Sequence, residues 1–389
     1  MFRCSALLAA FIVLRCATWS PAQEPKPFEH GLGTDPAYFP IAVWLQDPHN
    51  APRYKEIGVN LYIGVWAGPT EQQLADLGKA GIPLICDQNA VALKHLDSKT
   101  IVGWMHGDEP DNAQEQPGGK GYGPPIPPEK IVQGYDKIRK ADPTRPVLLN
   151  LGQGVAWDGW FGRGERTNHP EDYPQYLKGC DIASFDIYPA THDKPEIAGK
   201  LEYVPKGVKR LIDWTKGEKP VWTCIETTHI GNPKTKPTPQ QVRSEVWMAI
   251  IAGSRGIVYF AHEFQPKFVE AGLLADPDMA AGVKALNAEV TSLASVINSP
   301  AVKRPATVET TDKTTDKIAL MTRQQGNRTY VFAVSMGPTP THATFTLPDS
   351  ALSHGKAETI GEHRTVPVTD GKWSDAFKGY EVHLYRLGQ

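Results

Sequence analysis

Residues 101–112 read IVGWMHGDEPDN. The first five, Ile101 to Met105, are apolar on both faces, which marks a strand covered on both sides. Asp108, Glu109 and Asp111 follow at once, with Pro110 fixing the chain between them. A strand that only fills a core usually stops at Gly, Asn or Ser, and the plain reading here is a β-turn with Asp and Pro in turn positions. The other reading is that a buried strand delivers carboxylates to a functional rim. The flanking sequence has to decide.

Seven similar runs surround this one. PIAVWL (40–45), VNLYIGV (59–65) and IPLICD (82–87) precede it, and PVLLNL (146–151), DIASFDIYP (181–189), PVWTCIE (220–226) and GIVYFAH (256–262) follow. Most are apolar on both faces, as parallel strands are. Helix-like segments at 70–81, 127–142, 205–217 and 238–256 alternate with them, carrying apolar residues at helical spacing and Pro or Gly at their ends. The stretch after the third run shows no clear helix. Eight strands alternating with helices over 30–298 predict a (β/α)₈ TIM barrel. A doubly wound open sheet is the alternative, but Gln46-Asp47-Pro48-His49 after the first strand is no glycine-rich phosphate turn.

Past a helix-like segment at 279–297 the texture changes. SPAVKRPA reads as a linker, then short alternating runs follow (TVET, KIALMTRQ, TYVFAVSM, HATFTL, YEVHLYRL) with turn residues at Gly326-Asn327, Gly337-Pro338 and Asp370-Gly371. Residues 299–389 are therefore expected to form a small antiparallel β-sandwich.

The chain has 389 residues and a formal charge of −2, with 40% hydrophobic and 22% charged residues. That composition is globular, and a charge so near zero offers nothing to nucleic acid or an anionic membrane. A short basic start, the apolar run CSALLAAFIVL and small residues at Ser20 and Ala22 predict a signal peptide over 1–22. The mature protein is then extracellular or periplasmic, and not membrane-bound. Cys86, Cys180 and Cys224 would remain, an odd number in apolar surroundings, and buried free thiols are expected. No CxxC or HExxH spacing argues for a metal, and no cofactor is implied.

In a barrel, chemistry sits at the C-terminal ends of the strands. Those ends carry Asp87, Asp108-Glu109, Asp186 with Tyr188, Glu226, and His262-Glu263. Strands four and seven face each other across the mouth, which brings Glu109 and Glu226 to one cavity. Two carboxyls there, one protonated and one ionised, are what glycoside hydrolysis requires. Both serving as salt-bridged rim residues is the bland alternative. Trp44, Trp66, Trp157 and Trp160 stand near the same rim as sugar-stacking candidates, the last two in the loop GQGVAWDGWFGRGE (152–165). Arg53, His106, Asn150, His262 and Glu263 are candidate polar contacts.

GWMHGDEP and PVWTCIE resemble the strand-four and strand-seven motifs of the clan A glycoside hydrolases, the 4/7 superfamily. The resemblance spans roughly residues 40–298 and does not single out a family within the clan. It implies a retaining enzyme for β-linked substrates that needs no cofactor. Glu109 would be the acid/base, Glu226 the nucleophile, and Tyr188 the tyrosine that hydrogen-bonds the nucleophile. One departure stands out. Asp108 occupies the place where the clan has asparagine, so it can accept from a sugar hydroxyl but cannot donate, and it leaves Asp108 itself open as the proton donor. A barrel that binds carbohydrate without chemistry is the alternative function.

Overall fold

A computed structural model describes residues 28–311, 317–348 and 354–388. The expected signal peptide lies outside the described residues. Eight parallel strands fall within the eight apolar runs: β1 (Ile41–Trp44), β2 (Leu61–Ile63), β3 (Leu84–Cys86), β4 (Ile101–Met105), β5 (Val147–Leu151), β6 (Ile182–Phe185), β7 (Trp222–Glu226) and β8 (Gly256–Phe260). Their order is β6-β5-β4-β3-β2-β1-β8-β7. A parallel bridge between Ala183 and Val221 joins β6 to β7 and closes the ring. The open doubly wound sheet is thereby excluded.

Both faces of each strand are covered, which is why the runs do not alternate. Ala42, Ile63, Ile85, Leu148 and Val258 fill the barrel interior. Ile41, Val43, Leu84, Trp104 and Leu149 point outward into the helical layer. The helices are α1 (Ala51–Glu56), α2 (Glu71–Ala80), α3 (Pro128–Ala141), α4 (Tyr173–Tyr176), α5 (Tyr203–Trp214), α6 (Pro239–Ala252), α7 (Gly272–Ala275) and α8 (Pro277–Ile297). Thr70 with Gln73 and Thr238 with Gln241 form capping boxes that start α2 and α6; each N-cap stabilises its helix by about 1 kcal/mol. Between β3 and β4 only a single 3₁₀ turn, Ala92–Lys94, replaces a helix.

The C-terminal region is one eight-stranded antiparallel sheet folded on itself: β9 (Thr307–Thr310), β10 (Ile318–Gln325), β11 (Arg328–Ser335), β12 (Thr341–Thr346), β13 (His354–Thr359), β14 (Arg364–Thr369), β15 (Lys372–Phe377) and β16 (Val382–Leu387), in the order β10-β11-β16-β13-β14-β15-β12-β9. Alternation along β11 explains how it joins the barrel. Val331 and Ala333 face a core of their own with Phe345, Trp373 and Tyr385. Tyr330, Phe332 and Val334 belong to the same continuous core as the barrel helices. The Trp247 ring of α6 packs on Phe332 at 5.1 Å, and Ser244 Oγ donates to the Tyr380 carbonyl at 2.6 Å. The aromatics of this sheet are spent on packing.

Candidate active site

β4 ends by turning sharply. Glu109 lies at φ +43°, a left-handed conformation that costs a non-glycine residue about 1–3 kcal/mol unless its surroundings hold it. They do. The Glu109 amide donates to the Asn150 carbonyl at 3.2 Å, and the Asn112 amide returns to the Glu109 carbonyl at 3.0 Å. Asp111 is fully buried, accepting from the Gly152 amide (2.8 Å) and the Tyr173 hydroxyl (3.0 Å). The stretch after β4 is thus riveted to the loop after β5.

The Glu109 side chain is fixed in turn. Trp160 Nε1 donates to Asn112 Oδ1 at 2.8 Å, which orients that amide so that Nδ2 donates to Glu109 Oε2 at 2.7 Å. Gly152 lets the backbone pass close by: a Cβ there would meet Asn112 Oδ1 at 2.8 Å and Glu109 Oε1 at 3.0 Å. Asn150 is buried and donates from Nδ2 to Asp108 Oδ1 at 2.9 Å. It therefore positions Asp108 rather than lying open to a ligand.

The carboxyl group that meets Glu109 is Asp186, from the end of β6. Burial raises the Glu109 pKa well above the ordinary glutamate value, and the charge of Asp186 and a hydrogen bond to it raise it further, with Asp108 and Asp111 adding to the effect. Asp186 is also raised, chiefly by burial, while its contacts with Glu109 and Tyr188 favour its ionised form. Asp108 is exposed at the open top of a recess whose walls still push its pKa up. One proton held between Glu109 and Asp186 is the low-energy state of such a pair.

Glu226 does not join them. It is fully buried, with Oε1 accepting from the Ala190 amide at 2.6 Å and Oε2 from the Thr191 amide at 2.8 Å. Its neighbouring acid is Glu245 of α6, also fully buried, and both pKa values are raised, first by burial. Glu109 and Glu226 are expected to face each other over one cavity; the acids around Glu109 are Asp108, Asp111 and Asp186, and the acid beside Glu226 is Glu245. Two long-range amide bonds capture Glu226 beneath the loop after β6. Tyr188 accordingly contacts Asp186, not Glu226.

The remaining candidates divide. Trp44 is buried inside the barrel. His262 is buried with Nε2 against the Leu45 carbonyl at 2.9 Å. His106 is buried against the Gly179 carbonyl, and Arg53 reaches the Leu274 carbonyl near α7. These four serve the fold. Glu263 faces His229 at 3.5 Å on the rim. Trp157 and Trp160 are half-buried and pack at 5.8 Å, with Phe161 4.6 Å from Trp160 and 57% exposed. Across the mouth Trp66 is 43% exposed. Sequence reasoning missed Asn112 and Glu245 as partners of the two glutamates, and His192 beside Trp157 at 5.5 Å. Asp111-Asn112, directly after the motif, was the available signal for the first. Cys86, Cys180 and Cys224 are buried free thiols.

No protein-family model and no curated protein matches the sequence. Among solved structures, a Bacteroides fragilis protein assigned as an alpha-galactosidase shares the fold with a TM-score of 0.54 and 10% identity, over 91% of this chain and 80% of that one. An α-L-arabinofuranosidase from Thermotoga maritima (TM-score 0.49, 11% identity, 88% and 90% covered) and a GH30 endoxylanase from Clostridium papyrosolvens (TM-score 0.47, 8% identity, 90% and 96% covered) are more distant. The likeness to the Bacteroides fragilis protein is one of fold alone.

Proposed function

We propose that the chain is a glycoside hydrolase whose proton donor is Glu109 and whose ionised partner is Asp186. The observation that carries this reading is the meeting of these two carboxyl groups, from β4 and β6, at the C-terminal mouth of the barrel, with Glu109 held protonated by its surroundings. A protonated acid at neutral pH can give its proton to a departing glycosidic oxygen. An adjacent carboxylate can meet the positive charge that develops at the anomeric carbon. Asp186 is the carboxylate beside Glu109, available to attack that carbon or to steady its charge, and retention of configuration is the outcome implied by the likeness to the clan A motifs. A β-linked substrate follows from the likeness of GWMHGDEP and PVWTCIE to the clan A motifs. Trp157, Trp160 and Phe161 line the near side of the mouth, and Asp108 is placed to accept from a sugar hydroxyl. Secretion after cleavage near Ala22 belongs to the same proposal and rests on the first 22 residues.

The test is labelling with a panel of 2-fluoro aryl β-glycosides, followed by peptide mapping. Label on Asp186 supports the reading, and label on Glu226 restores the assignment that the clan resemblance implies. If no glycoside labels or turns over while oligosaccharides still bind, the barrel is a carbohydrate-binding protein without chemistry.

A further inference from the structure

Five of the six exposed large apolar side chains among the described residues stand on loops that follow barrel strands at the mouth or beside it: Trp66, Tyr122, Phe161, Phe264 and Phe268. Three of them gather away from the carboxyl pair. Phe264 and Phe268 lie 5.7 Å apart and Trp66 lies 6.5 Å from Phe268, all packed around the buried ring of His262. Phe264 and Phe268 are 42% and 54% exposed. The cluster is built rather than incidental. Glu270 Oε1 accepts from Trp66 Nε1 at 2.7 Å and from the Asp47 amide at 2.6 Å, tying the loops after β1, β2 and β8 together. Glu263 and Val269 exchange two backbone hydrogen bonds (2.9 and 2.8 Å), so both phenylalanines ride on a pinned hairpin.

Position around the ring gives the cluster its meaning. In the strand order, β1 lies opposite β5. The loops after β2 and β8 flank β1, so this cluster faces Trp157, Trp160 and Phe161 of the β5 loop across the mouth. Glu109 and Asp186 come from β4 and β6, on either side of β5. Resting on the function proposed above, we infer that Trp66, Phe264 and Phe268 form a second sugar-stacking subsite, remote from the carboxyl pair, for a glycan chain that crosses the mouth. Aromatic faces meet the C–H faces of pyranose rings, and a stacking wall on each side of the carboxyls suits a chain that continues past the cleaved bond in both directions. The enzyme would then cut within chains rather than trim single units from an end.

The experiment uses the full chain and β-1,4-linked glucose, mannose and xylose oligomers of increasing length. In the wild type, kcat/KM should rise with chain length for the matching sugar. In F268A and W66A the loss should grow with length, to about tenfold or more on the longest oligomers, the scale of a lost stacking contact. Oligomer binding, read from tryptophan fluorescence in wild type and F268A, gives a readout independent of turnover. Equal losses on short and long oligomers overturn the inference, as does oligomer binding indifferent to Phe268. Aryl glycosides cleaved with no effect of chain length leave the proposed function standing and remove the subsite. Oligomer binding that depends on Phe268 without any hydrolysis keeps the subsite and removes the proposed function.

Discussion

The molecule holds two groups of carboxyls, one at the barrel mouth and one between the end of β7 and α6, and they differ in access. At the mouth, Asp108 is exposed and Glu109 half-buried, with Asp186 behind them. Beneath the loop after β6, Glu226 and Glu245 are sealed off completely. Burial raises the pKa in both groups. In the sealed pair each oxygen of Glu226 accepts from a backbone amide, Ala190 or Thr191, which ties the end of β7 to the loop after β6. The open pair keeps a proton where a ligand can reach it. What separates the two groups is an open side, and position on the ring does not supply it.

The sharpest way to break this contrast is to neutralise one member of each group. E109Q should lose about 10²–10⁴-fold in kcat on glycosides with poor leaving groups, the usual contribution of a general acid. E226Q should stay within about tenfold of wild type, because one amide bond survives and only loop placement suffers. Circular dichroism and melting curves on both variants separate chemistry from misfolding. An inactive but folded E226Q beside an active E109Q would reverse the two roles.

The pH dependence sharpens the contrast. In the proposed mechanism turnover needs Asp186 ionised and Glu109 protonated, and both pKa values are raised. The rising limb of the kcat/KM profile should therefore lie above the ordinary carboxylate range near pH 4, with the falling limb higher still. Stability should move the other way. The native Glu226–Glu245 pair holds its proton more tightly than the unfolded chain does, so the native state binds more protons and stability falls as pH rises. E245Q removes one of these acids, and its melting temperature should decline less than that of wild type between acid and alkaline buffers.

The smallest effect concerns support. W160F removes the N–H that orients Asn112. A few-fold loss in kcat with the melting temperature unchanged is expected, on the scale of one neutral hydrogen bond of about 1 kcal/mol. A rise in KM alongside it would reflect the part of Trp160 in the stacking wall, and an unchanged kcat would remove its role in orienting Asn112.

The barrel was legible because parallel strands buried on both faces leave uninterrupted apolar runs, and all eight lie where those runs are. The sandwich was half legible. β13, β14 and β15 went unrecognised because one face of each is exposed and carries Lys356, Glu358, Thr365 and Lys372, although the Asp370-Gly371 hairpin between the last two was visible. At the site, Glu109 could be found from its motif. The fate of Glu226 could not, since it depends on amides 36 and 35 residues away. The burial of Trp44 and His262 was hidden for a related reason: a side chain at or just past a strand end faces the interior or the rim according to register.

Glu109 also carries a left-handed backbone. Glycine at that position would relieve about 1–3 kcal/mol of strain, against roughly 0.5–1 kcal/mol for its added freedom in the unfolded chain. It would also take one acid out of a crowded cluster. A laboratory selection of this protein for heat resistance alone, blind to turnover, should therefore drift toward E109G, and the hardiest descendants would be the ones that had stopped working.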